Sequence, residues 1–408
     1  LTTIWKLNLK FGCLKLYPAR KGSTKRQQSP CQMKSNTFNL HRLASLMIVL
    51  TLGVYIIIIG KSILTPLAFA FIFSFLLLPI CSRIERFIRY RPVAIVLSML
   101  IALLPAVALI VVFSYQFTTV IEDIPSISSK LKRGINEVLD FLQQYANFNT
   151  ENLQESIRSN FSTLIETPIQ LIGQSLSSGS NMLISILLTI LFTFFLMLYR
   201  TSFKNFALMQ FRKSQREEAA TMIDQVGKIL KEYLYGLLLV ILILGVLNSL
   251  GLWLIGIRYA AFWGFLAACL AIIPYIGTTL GGFLPFIYAL ATTGTLWQPA
   301  AVVLLYSSVQ TLEGNFITPN VVGNSVSINP LAAIIFLFIG GMIWGISGLI
   351  LALPFVAVLK VVMEHITPLR PVSELLSSDL YSDSDKFLEE YDEEQYRISN
   401  YFSRRNQW

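Results

Sequence analysis

Between Arg258 and Lys360 the chain carries no Lys, Arg or Asp, and Glu313 is the only Glu. A stretch that long without charge does not fit a water-soluble fold, because soluble chains carry about 25% charged residues. Only 13% of the 408 residues are charged, 54% are hydrophobic, and mean hydropathy is +0.62. Several uncharged runs approach or exceed the ~20 residues that a helix needs to cross the hydrocarbon core. A membrane β-barrel would instead show segments of about ten residues with alternating polarity, and runs such as "YIIIIG" and "LLLVILILGVL" do not alternate. The expected fold is an all-α polytopic membrane protein of about eight membrane segments, with a small helical extracytoplasmic insertion.

The placement of the basic residues explains the net charge of +9. Residues 1–42 hold nine Lys/Arg and no acid, "SRIERFIRYRP" (82–92) holds four Arg and one Glu, and 200–232 holds seven basic and four acidic residues. All three flank apolar spans, where positive charge marks the cytoplasmic side. The charge therefore orients the chain in a membrane and does not call for a nucleic-acid partner. Residues 118–180 reverse the bias, with seven Asp/Glu against four Lys/Arg, and are expected outside the cytoplasm.

These signals divide the chain. Residues 1–42 form a basic cytoplasmic arm, with 1–32 read as an over-extended start or a disordered arm because "MKSNTFNLHRLASLMIVL" begins at Met33. Residues 43–117 supply three spans, the first two joined by a short turn around Lys61–Pro66. Residues 118–180 form the insertion, where Leu131, Ile135, Val138 and Leu142 recur at helical spacing. A fourth span covers 181–199, a cytoplasmic connection 200–232, and a C-terminal membrane bundle 233–363. Residues 364–408 form an acidic cytoplasmic tail. The multi-pass protein is expected in the bacterial inner membrane with both termini cytoplasmic.

Within the C-terminal bundle, two long apolar segments are interrupted by Gly and Pro. The first carries Pro274, Gly277, Gly281, Gly282 and Pro285, and the second Gly340, Gly341, Gly345, Gly348 and Pro354. Either these residues break helices into hairpins that enter and leave on one side, as at transporter binding regions, or the glycines let helices pack closely. Broken helices are favoured, because the two segments flank the sole carboxylate.

The stretches "IPYIGTTLGGFLPFIYAL", "EGNFITPNVVGNSVSINPLA" and "GGMIWGISGLILALPFVAVLK", in this order and spacing, resemble the autoinducer-2 exporter family of bacterial membrane proteins. The resemblance covers roughly residues 40–366. It implies export of small molecules across the inner membrane, with sodium/proton antiport described for some members, and a homo-oligomer, expected to be a pentamer.

Glu313 is the first candidate for function. An ionisable group inside a membrane bundle is costly and marks an ion, proton or substrate pathway by default. The bland alternative is a carboxylate at the interface that caps a helix or binds the amides of a Gly314–Asn315 turn. Gln310, Asn315, Asn320 and Asn324 add polar groups nearby. Pro319 and Pro330 are expected to bracket a polar loop, with Pro330 in the first turn of the next helix and Asn329 as its cap. Ser185 and Ser249 are expected to bond carbonyls of their own helices.

Other chemistries lack support. "GTTLGG" has no Lys of a phosphate-binding loop, and no Walker motif occurs. No nucleophile–base constellation stands near a span. Four unpaired cysteines and two histidines suggest neither a disulfide framework nor a metal site. The sequence thus points to a secondary transporter for a small polar solute, coupled to a proton or sodium gradient, with no cofactor and no enzymatic activity. Alternatives are a cation/proton antiporter or a membrane scaffold that docks partners through its insertion and tail.

Overall fold

The computed structural model describes residues 40–146, 179–273, 276–321 and 328–378, together with 391, 393 and 396. The basic arm up to residue 39, insertion residues 147–178, Pro274, Asn324 and most of the acidic tail lie outside the described residues. Among the described residues all regular structure is helical, with one isolated antiparallel bridge, Ile328 to Ser377. The chain is an all-α polytopic membrane protein. Four helical stretches, Lys61–Ile84, Arg91–Phe117, Lys213–Ile255 and Ile346–Glu364, are long and apolar enough to cross a bilayer. A fifth results if Met182–Leu198 and Arg200–Met209, bent by 66°, form one span. Shorter apolar helices complete the set.

Helix α1 (Leu40–Ile59) exposes nearly all its large apolar side chains, Ile48, Val49 and Ile56 among them, which suits a lipid-facing element. The α1–α2 turn is a single residue, Gly60, and α2 (Lys61–Ile84) begins at once. The turn expected around Lys61–Pro66 is therefore already helical, with Pro66 buried inside α2. As the sixth residue of α2, Pro66 lies beyond the first turn and removes one N–H from the helix's own ladder. Helix α3 (Arg91–Ala146) continues as one helix beyond the span. The first part of the expected insertion is thus an extension of that span and not a separate unit.

Helix α4 (Gly179–Leu198) bends into α5 (Arg200–Met209). At this bend the Arg200 Nη2 group meets Glu85 Oε2 at 2.6 Å, while Arg91 Nε lies 3.7 Å from Glu85 Oε1. One carboxylate thereby ties the end of α2 to the start of α3 and to the start of α5 at the bend. Helix α6 (Arg216–Ile255) runs from the basic connection straight through the next span.

The C-terminal bundle contains two helical hairpins. Helices α7 (Ala260–Leu270) and α8 (Ile276–Thr292) form the first. At 1.5 Å per residue, α7 is about 16 Å long, half of the ~30 Å hydrocarbon core. A Cβ on Gly277 would lie 1.7 Å from the Leu270 carbonyl oxygen, so only glycine allows the chain to double back there. Helix α9 (Trp297–Leu312), a π-helical turn (Glu313–Ile317) and α10 (Thr318–Val321) follow as one rod. The Gln298 amide donates to the Ile255 carbonyl at 3.2 Å, which places the start of α9 beside the end of α6.

Helices α11 (Pro330–Trp344) and α12 (Ile346–Glu364) form the second hairpin, turning at Gly345 with φ +64°. Its tip stands beside the α1–α2 turn, where the Trp344 indole donates to the Ile57 carbonyl at 3.0 Å. The chain after α12 does not leave the body at once. Helix α13 (Arg370–Leu375) packs back: Asn329 N–H donates to the Leu376 carbonyl at 2.9 Å and Ser373 Oγ to the Lys360 carbonyl at 3.2 Å. The tail as drawn from residue 364 therefore begins too early, because residues up to 378 are folded.

Buried clusters hold these pieces together. Ala68, Ile72, Tyr233, Leu234 and Leu351 join α2, α6 and α12. Leu77, Cys81, Ile95, Met99 and Met197 join α2, α3 and α4. The largest cluster includes Leu252, Phe262, Trp263, Tyr288 and Val302, and fixes the first hairpin between α6 and α9. Val240, Leu244, Ala268 and Val309 pack just below it, next to the polar cavity described next.

Candidate functional site

Glu313 begins the π-helical turn, in which the Thr318 N–H reaches back five residues to the Glu313 carbonyl. Such turns widen a helix by one residue and recur at functional sites. Glu313 stands sixteen residues beyond Trp297, about 24 Å along the rod at 1.5 Å per residue. Its side chain is half-buried and hydrogen-bonded to Gln310, one turn earlier.

Both residues line a small cavity with Leu244 and Asn248 of α6, Ala267 and Ala271 of the first hairpin, and Tyr306 and Val309 of α9. The hairpin tip thus comes to mid-height of α6, with Leu244 eleven residues short of Ile255, roughly 16 Å. The cavity measures about 20 Å³, room for a single water molecule. Asn248 is 4% exposed, and its Oδ1 is buried without a hydrogen-bond partner among the described residues. The same holds for the buried Tyr306 hydroxyl. Buried polar groups are almost always paired, and here two residues with an unpartnered oxygen line one cavity together with a carboxylate. Together Glu313, Gln310, Asn248 and Tyr306 offer oxygen acceptors and a hydroxyl donor, able to hold a proton, a water molecule or a bare monovalent cation.

Sequence reasoning reached Glu313 and Gln310 but missed Asn248 and Tyr306. A signal for Asn248 was present, since it is the one amide side chain in the charge-free run 233–255. Tyr306 gave none, because tyrosine is common near membrane boundaries.

The other predicted polar residues do not join the cavity. Asn315 Nδ2 donates to the Thr311 carbonyl at 2.9 Å, and Asn320 Nδ2 to the Phe316 carbonyl at 2.8 Å. The widened turn and Pro319, which lacks an N–H, disturb the regular ladder, and these amides satisfy carbonyls of their own rod. No Gly314–Asn315 loop exists, because both residues are in the π turn, and Pro319 lies within α10. Asn324, Ser325 and Ser327 lie outside the described residues. Asn329 caps α11, its Oδ1 accepting from Ala332 N at 2.7 Å with Pro330 in the first turn.

The Gly/Pro residues divide by role. Gly277 and Gly345 stand at hairpin tips. Gly281, Gly282 and Pro285 lie inside α8, Gly340 and Gly341 inside α11, and Gly348 and Pro354 inside α12. Those seven do not break helices. Gly281 packs on Ala267, Gly282 on the Tyr306 ring, and Gly340 on Gly348, so they serve close approach. Ser249 Oγ lies 3.4 Å from the Ala261 carbonyl of α7 and so bridges two helices, contrary to the same-helix bond expected. Among the described residues no group of three His, Cys, Asp or Glu stands together.

Comparison with known proteins bears on what such a site does. The pattern described as "AI-2E family transporter" matches residues 45–368. "Putative transport protein YhhT" of Escherichia coli (strain K12) is 26% identical over 340 residues, covering 83% of this chain and 93% of that protein. "AI-2 transport protein TqsA" of the same organism is 23% identical over 341 residues, 82% of this chain and 96% of its own length. "Putative transport protein YrrI" of Bacillus subtilis (strain 168) is 35% identical over a shorter stretch of 158 residues, 39% of this chain and 44% of that protein.

Proposed function

The chain belongs to the AI-2E family of transporters, and from that premise we propose that it is an ion-coupled secondary transporter exporting a small polar solute, with Glu313 as its coupling group. The observation that carries this reading is the meeting of Glu313, Asn248 and Tyr306 at one water-sized cavity beside the tip of the first hairpin. Coupling needs a group that exchanges a proton or cation in step with a conformational change. A carboxylate on a widened turn, facing unpartnered oxygens in an otherwise apolar bundle, meets that need. The two orphaned oxygens are satisfied when the cavity is filled and unsatisfied when it is empty, so its filling carries a free-energy difference between states.

A sodium/proton antiporter is the second reading, favoured by the cavity's size, which fits a bare cation or a water molecule and no organic solute. In either case the expected setting is the bacterial inner membrane with both termini cytoplasmic. A homo-oligomer, expected as a pentamer, follows from the family resemblance. The exposed apolar faces of α1 and α3 are available to lipid or to neighbouring copies.

The test is purified protein in liposomes with an imposed proton or sodium gradient, followed for solute movement and for internal pH. Gradient-driven solute efflux that disappears in Glu313→Gln supports the first reading. Proton movement driven by sodium with no solute present supports the second. Full activity of Glu313→Gln in both assays defeats the coupling role.

A further inference from the structure

A second, much larger cavity lies on the other side of the molecule, among α2, α3, α4 and α6. It measures about 1260 Å³, above the 300–1,000 Å³ typical of small-molecule sites, while the cavity at Glu313 admits one water. The two are therefore not alternatives for the same guest.

The walls of the large cavity are graded. One end carries Lys61, Ser62 and Thr65 of α2, with Ser347 from the tip of the second hairpin. The Lys61 ammonium approaches that tip, 4.0 Å from where a Cβ on Gly345 would stand. Among the described residues it makes no ion pair, and the buried Thr65 hydroxyl has no partner. Along α2 the lining then turns apolar through Phe69, Phe73 and Leu76 to Leu77 and Ile80. Across it, Thr189 and Thr193 donate to the carbonyls of Ser185 and Thr189 in their own helix, so their hydroxyl protons are not offered to a guest. Leu77 and Met99 of the lining belong to the buried cluster with Ile95 and Met197. From Lys61 to Ile80 is nineteen residues of helix, about 28 Å.

A site with one cation and three hydroxyl-bearing residues at one end and a long, mostly apolar slot behind fits one chemistry. We infer that this cavity binds a single-chain amphiphile with a carboxylate head, such as a long-chain fatty acid, its head at Lys61 and Thr65 and its tail along α2 toward Ile80. Among the described residues no acidic side chain lines the cavity, so an anionic head is attracted and a cationic one repelled. The apolar wall supplies the larger share of binding through burial of the chain. The inference builds on the transport reading by naming the class of solute, and it replaces a small polar cargo with an amphipathic one.

Binding is tested without any gradient, which separates it from coupling. The full chain in phosphatidylcholine nanodiscs is illuminated with a palmitic acid bearing a mid-chain diazirine, and adducts are mapped by peptide mass spectrometry. The expected result is saturable labelling between Phe69 and Ile80 and around Met99, displaced by unlabelled palmitate. Lys61→Gln weakens it by about tenfold, the scale of one charge-assisted hydrogen bond, and Lys61→Arg retains it. The matching alcohol labels weakly, and Ala106→Trp, which fills the slot, removes labelling while Lys61 stays in place. Glu313→Gln labels as wild type whether or not it transports. Labelling that never saturates, equal labelling of Lys61→Gln with an unchanged melting temperature, or equal labelling by the alcohol assigns the cavity to bulk lipid and overturns the proposal. Cross-linking of cavity residues to a second copy, with no fatty-acid adducts, overturns it as well.

Discussion

Gly340 and Gly348 cross at backbone distance: a Cβ on Gly348 would lie 1.9 Å from the Gly340 carbonyl oxygen, and one on Gly340 would lie 2.5 Å from the Gly348 carbonyl. The two helices of the second hairpin touch through main chain, with no side chain able to yield. Gly348→Val is expected to cost 3 kcal/mol or more, about the upper end for overpacking, and to lower the melting temperature in detergent. Gly314, which has nothing within 4 Å of a built Cβ, serves as the control, and Gly314→Ala should change stability by less than about 0.5 kcal/mol.

Glu313→Gln keeps shape and hydrogen-bonding capacity but cannot release a proton. The variant should fold and assemble, lose gradient-driven transport, and show exchange that no longer varies with pH. Glu313→Asp should retain partial transport with an altered pH profile. Both are read from liposome flux across a pH series, and a wild-type profile in the Gln variant returns Glu313 to a structural role.

Tyr306→Phe removes a buried hydroxyl that has no partner among the described residues. Leaving such a group unpaired costs roughly 1–3 kcal/mol, so the variant is expected to be more stable, by about 1 kcal/mol, and less active. Asn248→Leu should behave the same way. Thermal unfolding and flux measured on the same preparations decide it, and a loss of stability with unchanged flux would mean that these groups serve packing alone.

Removing Arg200 takes the closer of two cations from Glu85, whose side chain is only 21% exposed, and leaves Arg91 at 3.7 Å. Arg200→Ala should destabilise by about 2 kcal/mol, below the 3–5 kcal/mol of a fully buried pair. Adding Glu85→Ala should recover part of the loss. The coupling term of that double-mutant cycle, read by thermal unfolding, should exceed the term for the more exposed Lys204–Asp224 pair.

The charge map predicts orientation. Reporters fused at 86 and 215 should be cytoplasmic and one at 145 extracytoplasmic. A cytoplasmic signal at 145 would invert the long extension of α3 and the direction assigned to every span.

The sequence made the spans legible, because hydropathy and charge alone decide which segments enter a bilayer. It also led to Glu313, since one carboxylate in a charge-free stretch stands out without any fold. The cavity's other half was not legible. Asn248 and Tyr306 lie on separate helices, and only the packing of α6 against α9 brings them to Glu313. The glycines were ambiguous for a physical reason: tight crossing and chain reversal both need a missing side chain. Gly277 and Gly345 reverse the chain, whereas Gly281, Gly340 and Gly348 permit contact. Asn315 and Asn320 read as site residues because an amide looks the same in a sequence whether it faces a guest or its own backbone.

The five-residue step from Thr318 N–H to the Glu313 carbonyl has a rotational consequence. One residue more per turn offsets everything downstream by about 100° around the rod axis, since each residue of a regular helix turns by that angle. Thr318–Val321 therefore presents a different face from the one Trp297–Leu312 would project onto it. A single-residue deletion at Gly314 would wind the rod back into register, leaving the composition of the stretch nearly unchanged while swinging α10 away from its present neighbours. In this part of the molecule the length of the chain, counted to the residue, carries as much information as the identity of its side chains.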